Sequence, residues 1–375
     1  MAGKKVEFLF LSQEEMLQAG VLDMRRCVEV MDEVFKLLWK GDCLMGGPTG
    51  DTHGFRLWFP PQAKGPHMPV DAPGRRFMSM IAYLGGEFNV CGQKWYGANT
   101  ENPVKRHLPR SVLLVTLNDP VTAEPLAIMD GNLISAMRTG AVTGLGAKYL
   151  ARKDAEVAGI VGAGVISRTA VMALAVGVPN LKEAKVFDIV RGKAESFSEE
   201  MSKKLGIHVH PVDTLEEAVR NADAISVAIA GKNTATFKSE WFKEGAFIAL
   251  SSSMAEIPNE LWRSSKIVAD NWKMHIDARE EGDRLPEGIL RHQRLIHPSV
   301  HELIRRGKLK DDDIVDLARI AFGGETWKAD DAQKVLFITF GMALEDVAWG
   351  CTVYKQALKQ GLGQTLRLWN EPYWF

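Results

Sequence analysis

Cysteine is scarce in this chain. Only Cys27, Cys43, Cys91 and Cys351 occur in 375 residues, and no two form a C-x-x-C pair. The scatter excludes a disulfide framework or a zinc ligand set and predicts buried or partly buried, reduced thiols. Long apolar runs are missing too. No stretch approaches about 18 uncharged apolar residues, so no transmembrane helix is expected. The first residues carry Glu7 and are too short for a signal h-region, which makes a cytoplasmic protein the expectation. Nor is there an excess of one charge. Lys plus Arg is 46 against 47 Asp plus Glu, a net charge of −1, which argues against an electrostatic nucleic-acid binder. Walker A and nucleophile-elbow motifs are absent. What remains is ordinary globular material, 46% apolar and 25% charged. At about 100–200 residues per domain, the length predicts two domains.

Periodicity divides the chain. Residues 13–39 carry apolar residues at helical spacing and predict one helix. Residues 44–79 are rich in Gly and Pro and read as loop. Strands follow at Phe77–Tyr83, Val90–Tyr96 and Ser111–Leu117, and Asp119-Pro120 turns the chain back into Pro125–Met129. That pattern predicts a mixed or antiparallel sheet. Asn132–Leu150 reads as a long helix capped by Asp130. From Glu156 strands and helices alternate. The strands are Val157–Val161, Ala184–Ile189, Ala224–Ala230 and Ala246–Ser251. The helices between include Ile166–Val176, with Gly177 as its C′ glycine, and Arg191–Leu205. Such alternation predicts an α/β unit with a doubly wound parallel sheet. Residues 332–358 read as one further helix.

Val161-Gly162-Ala163-Gly164-Val165-Ile166-Ser167 closes the first of these strands and opens a helix. Gly162 permits the tight turn, Gly164 lets backbone approach a pyrophosphate, and the helix start offers free N–H groups. Asp188 ends the next strand, 24 residues after Gly164. An acid there suits the ribose hydroxyls of NAD and repels a 2′-phosphate. Arg191, three residues on, softens that preference, so NADP stays open as the alternative. The bland alternative, a glycine turn with an unrelated surface aspartate, is disfavoured by the order of strand, turn, helix, strand and acid. His208-Val-His210 has same-face spacing on a strand, but with no further ligand nearby it reads as an edge pair, and no metal is expected.

Several segments, in order, resemble the ornithine cyclodeaminase/mu-crystallin family. They are Gly92-Gln-Lys-Trp-Tyr-Gly-Ala-Asn99, Leu108-Pro-Arg-Ser111, Leu117–Leu126, Met129-Asp-Gly131 with Ala136-Met-Arg-Thr139, Gly162–Arg168, Trp241–Gly245 and Gly341-Met-Ala-Leu-Glu-Asp346. The resemblance implies a Rossmann domain, residues 141–320, and a discontinuous α+β substrate-binding and dimerisation domain, residues 1–140 with 321–375. It implies a homodimer with its active site in the cleft between the domains. The implied chemistry is hydride transfer between NAD and the α-carbon of an amino or imino acid. A mu-crystallin-like cofactor-binding protein, or an accessory subunit, is the alternative, and a cyclodeaminase ranks third.

The resemblance also implies site residues. Lys94 matches the family's active-site lysine, and Arg138 the arginine of its A-x-R-T helix. The first suits holding a substrate carboxylate or donating a proton, and the second suits bidentate capture of a substrate carboxylate. The bland readings are an exposed strand lysine and a surface salt bridge. Arg168 matches the arginine after the glycine turn, where it supports the pyrophosphate or the helix start. Ala230 and Ser251, at the ends of two later strands, complete the expected cofactor set. Two family residues have no match. An arginine expected near Gly46 is missing, with His53 and Arg56 the nearest substitutes for substrate binding. The cyclodeaminases' aspartate is replaced by Ser251-Ser-Ser-Met254, which disfavours cyclodeamination.

Overall fold

The computed structural model describes residues 3–57, 59–72, 74–229, 234–252, 254–284, 295–324 and 332–374. In chain order the strands are β1 (Val6–Leu11), β2 (Cys43–Met45), β3 (Phe55–Leu57), β4 (Arg76–Leu84), β5 (Val90–Ala98), β6 (Ser111–Asn118), β7 (Pro125–Asp130), β8 (Val157–Val161), β9 (Glu183–Phe187), β10 (His208–Pro211) and β11 (Ala224–Val227). They continue as β12 (Ala235–Thr236), β13 (Phe247–Leu250), β14 (Ala255–Glu256), β15 (Lys266–Ala269), β16 (Ile314–Asp316), β17 (Val335–Ile338) and β18 (Gln364–Trp369). The chain forms two compact units. One comprises residues 1–23, 40–138 and 342–375, and the other 24–39 and 139–341.

The first unit is built on a mixed sheet of order β18-β1-β7-β6-β5-β4-β2, with β3 also on β4. Strands β4, β5 and β6 pair antiparallel in unbroken register, so Met80, Lys94 and Val115 stand side by side on one face. The helix Ala343–Gln360 covers part of that face. A Cβ added at Gly92 would lie 3.0 Å from Val347, and one at Gly350 would lie 3.1 Å from Val115. Residues 44–79 are therefore not all loop, because short strands β2 and β3 both hydrogen-bond to β4.

The second unit holds an all-parallel sheet of order β10-β9-β8-β11-β13-β17-β15-β16. Strand order reverses at β8, which has β9 on one side and β11 on the other. That switch point is where open α/β sheets bind ligands, beyond the carboxyl ends of the strands. Val161, Ile225, Val227, Ile248, Leu250, Leu336 and Ile338 are buried in its core.

Three helical expectations change. Residues 13–39 form two helices, Gln13–Gln18 and Met24–Lys40, because Gly20 adopts φ +87° between them. Residues 332–358 are not one helix. Val335–Ile338 is a fully buried strand between β13 and β15, and Gly341 at φ +87° precedes the helix Ala343–Gln360. A four-residue strand buried on both faces has no alternation to mark it, so its apolar run merges with the helix pattern that follows. The parallel sheet thus extends past residue 320. Gly177 is no left-handed cap but the last residue of the helix Val165–Gly177, which ends on Val178. A Cβ there would lie 2.1 Å from the Gly144 carbonyl oxygen, so this glycine lets two helices pack closely.

Candidate active site

The second unit contains the glycine turn. Gly162 follows β8 with φ +96°, and its N–H donates to Phe187 O at 2.7 Å. An added Cβ would lie 2.6 Å from Ala228 O, so only glycine fits. Gly164 is the N-cap of the helix Val165–Gly177 and gives it no side-chain cap. A Cβ at Gly164 would meet nothing within 4 Å, so the approach to the helix start is open. Asp188 stands beside this turn. One carboxylate oxygen accepts from Ala163 N at 2.9 Å and the other from Val190 N at 2.9 Å. Val165 is exposed, Ile166 half-buried, and Ser167 fully buried at the helix–sheet contact. An open turn with free N–H groups beside a carboxylate fits the pyrophosphate and ribose of a dinucleotide.

The two arginines nearby are occupied. Arg168 donates to Ala163 O at 3.0 Å, pairs with Glu200 at 2.8 Å and lies over the Phe197 ring. It braces the turn from within the protein. Arg191 pairs with Glu195 at 3.0 Å and Asp213 at 2.5 Å, so two acids oppose the charge that a 2′-phosphate would need. Ser251 follows β13, with its hydroxyl 3.1 Å from that of Thr339. Ala230 lies outside the described residues.

In the first unit the sheet and two helices bring four charges together. Lys94 on β5 is only 2% exposed. Its ammonium donates to Asp346 Oδ2 at 2.7 Å and to Ser135 Oγ at 3.4 Å. Arg138, on the helix Gly131–Leu150, donates through Nη1 to Glu345 Oε2 at 2.5 Å, and its Nε lies 3.2 Å from Asp346 Oδ1. Both acids are 0% exposed, in the first turn of the helix Ala343–Gln360, where its positive end favours carboxylates. Two cations thus balance two anions in a buried quartet.

Burial dominates the titration of Lys94. Desolvation and the neighbouring Arg138 outweigh Asp346 and Glu345 and bring its ammonium down to about 8. Burial opposes the charge of Arg138 as well, but there the two carboxylates win and keep it firmly cationic. A lysine that changes charge near neutrality beside a fixed guanidinium can exchange a proton while an anion stays bound.

Other expected residues lie apart from the quartet. Arg56 on β3 is opposite Met78, which is opposite Tyr96, so it shares Lys94's face two strands away. His53 precedes β3. His208 and His210 stack on edge strand β10, with centroids 4.6 Å apart. Among the described residues no His, Cys, Asp and Glu group could hold a metal ion, and no helix is long and apolar enough to cross a membrane. Glu345 and Asp346 are candidate site residues that no motif in the sequence marks as such. Their signal was two adjacent acids in an otherwise apolar first helical turn.

The family model for the ornithine cyclodeaminase/mu-crystallin family matches residues 21–361. N-((2S)-2-amino-2-carboxyethyl)-L-glutamate dehydrogenase of Staphylococcus aureus is 27% identical over 78% of this chain and 82% of its own length. Among solved structures, Delta(1)-pyrroline-2-carboxylate reductase of Thermococcus litoralis, in complex with NADH and L-proline, is 28% identical. The match covers 96% of this chain and all of that one, with a TM-score of 0.79. An archaeal alanine dehydrogenase dimer with bound NAD is 25% identical, with 97% and 100% covered and a TM-score of 0.77. With the family pattern matched across most of its length, this chain belongs to the ornithine cyclodeaminase/mu-crystallin family.

Proposed function

We propose that the protein is an NAD(P)-dependent oxidoreductase acting at the α-carbon of an amino or imino acid, with Lys94 as proton donor and Arg138 as carboxylate anchor. The observation that carries the assignment of roles is the buried quartet. Its charges sum to zero, so it favours a substrate that is itself balanced, such as an iminium carboxylate. Arg138 turns Nη1 and Nε to the acids, and its Nη2 edge is the one assigned to the substrate carboxylate. Asp346 aims the Lys94 ammonium, which gives its proton to the lone pair that forms on the substrate nitrogen as hydride adds and C=N becomes C–N, leaving an ammonium product and a neutral lysine. When bound, the cofactor supplies the hydride for the α-carbon. The glycine turn and Asp188 hold its pyrophosphate and ribose.

The names of the three relatives describe dehydrogenases and a reductase, which supports this reading. Cyclodeamination is disfavoured because Ser251 and Ser252 replace the acid it needs. The test is NADH oxidation against a panel of cyclic imines and of 2-oxo acids with amines. Turnover with at least one class is expected, and tight NADH binding with no turnover would count against catalysis.

We assign a homodimer on the opposite face of the first unit's sheet. Phe55, Leu57, Ile81, Trp95, Val112 and Leu114 are all exposed there, an apolar surface of the kind a partner covers. The occupant we assign is a second copy, as in the dimeric alanine dehydrogenase. Light scattering should give twice 41.5 kDa, and a stable monomer would contradict it.

A further inference from the structure

Sheet register places a second polar group on the face that carries Lys94. Residues directly opposite each other across strands share a face. Met80, Lys94 and Val115 form one row. Arg56, Met78, Tyr96 and Leu113 form the next, and Arg76, Ala98 and Ser111 the one after. Beyond the apolar step of Met78 and Leu113 the face turns polar again.

Tyr96 is the centre of this group. Its hydroxyl oxygen accepts from Ser111 Oγ at 2.9 Å and from Arg76 Nη2 at 3.3 Å. With both contacts accepted, the phenol's own hydrogen is directed at neither neighbour. The Arg76 guanidinium also lies over the Tyr96 ring, 5.1 Å from its centroid. Arg76 has no carboxylate partner among the described residues, and its Nε is buried without a hydrogen-bond partner. A buried N–H left unmatched calls for a ligand or a cost. Burial alone would push the Tyr96 phenol up. The Arg76 charge, the Ser111 hydrogen bond and Arg110 outweigh it and hold the phenol below its usual value. The group therefore presents donors and positive charge with no acid, which is the chemistry of an anion site.

We propose that Arg76 and Tyr96, braced by Ser111, bind a second acidic group of the substrate, a carboxylate on the side chain of the amino or imino acid. The proposal rests on reading Lys94 as the reaction centre. Lys94 and Tyr96 are two residues apart on one strand, about 6.7 Å. That is the spacing of their α-carbons; with a hydrogen bond's reach at each end, a carboxylate held at Tyr96 suits a short-chain diacid, and a five-carbon diacid is the probe of that class. The subsite would select dicarboxylic over monocarboxylic substrates of equal length.

Calorimetry on the NADH-loaded protein, with glutarate and pentanoate as probes, tests this without needing turnover. Glutarate should bind about 10–100-fold tighter than pentanoate, the range expected for a charge-assisted pair. Arg76→Met should erase that ratio, while Arg76→Lys keeps the charge without the planar fork and should retain part of it. Tyr96→Phe should reduce the ratio severalfold, and it serves as the test if Arg76→Met does not fold. Equal affinities in the unaltered protein, or a ratio that survives both Arg76→Met and Tyr96→Phe, would overturn the subsite. The two readings fail separately. A glutarate preference that depends on Arg76, with no NADH oxidation on any imino acid, would sustain the subsite and sink the oxidoreductase. Turnover with no glutarate preference would do the reverse.

Discussion

Replacing Lys94 with methionine should lower kcat for imine reduction by about 10²–10⁴-fold, the range for loss of a positioned general acid. Methionine keeps the length of the side chain and removes its proton. NADH affinity should stay close to unchanged, because the glycine turn and Asp188 assigned to the cofactor keep their own hydrogen bonds in the variant. The pH profile adds a signature that a merely structural lysine would not give. Lys94 is held at about 8, chiefly by burial and then by Arg138, against Asp346 and Glu345. As proton donor it must be protonated, so kcat/KM for reduction should be level below that pH and fall about tenfold per unit above it. The oxidative direction needs the neutral amine and should rise through the same pH. Lys94→Met should lose the inflection. An unshifted profile in the variant would remove Lys94 from the chemistry.

Arg138→Leu should combine the largest loss of stability with a loss of activity. It leaves Glu345 and Asp346, both fully buried, facing the single charge of Lys94. Removing one partner from a buried ionic group costs about 3–5 kcal/mol, because the partner's charge stays behind unpaired. Denaturant unfolding of the unaltered protein and the variant would measure it. The double variant Arg138→Leu, Glu345→Leu removes the stranded acid as well and should recover most of that stability. Activity should not return, because the guanidinium edge assigned to the substrate carboxylate is still missing. Recovery of activity together with stability would mean that Arg138 only props up the helix start.

These two expectations also show where the sequence was readable. The glycine turn and Asp188 were legible because the strand, the turn and the next strand lie close together along the chain. Each glycine answers a local demand, φ +96° at Gly162 and open space at Gly164. Lys94 and Arg138 were legible only through the ordered strings around them, since neither residue's spacing alone says more than a strand lysine or a helix arginine. Their partners were not legible. Asp346 is 252 residues from Lys94, and nothing local announces that pairing. Val335–Ile338 was hidden for a different reason, as a strand buried on both faces has no alternation to read. Arg76 and Tyr96 emerged only from cross-strand register, which places residues 20 apart in chain order at one hydroxyl. Arg168 and Arg191 show the opposite limit. Their positions were expected, yet Glu200, Glu195 and Asp213 occupy them, so their charge is answered within the protein.

The most direct measurement follows the hydride. NADH deuterated at the transferred C4 position, incubated with the protein and a turned-over imine or a 2-oxo acid and amine, should yield an amino acid with one deuterium on its α-carbon, seen by mass spectrometry. No label at that carbon with any member of the panel, while NADH still binds tightly, would contradict the oxidoreductase and leave a cofactor-binding protein in its place.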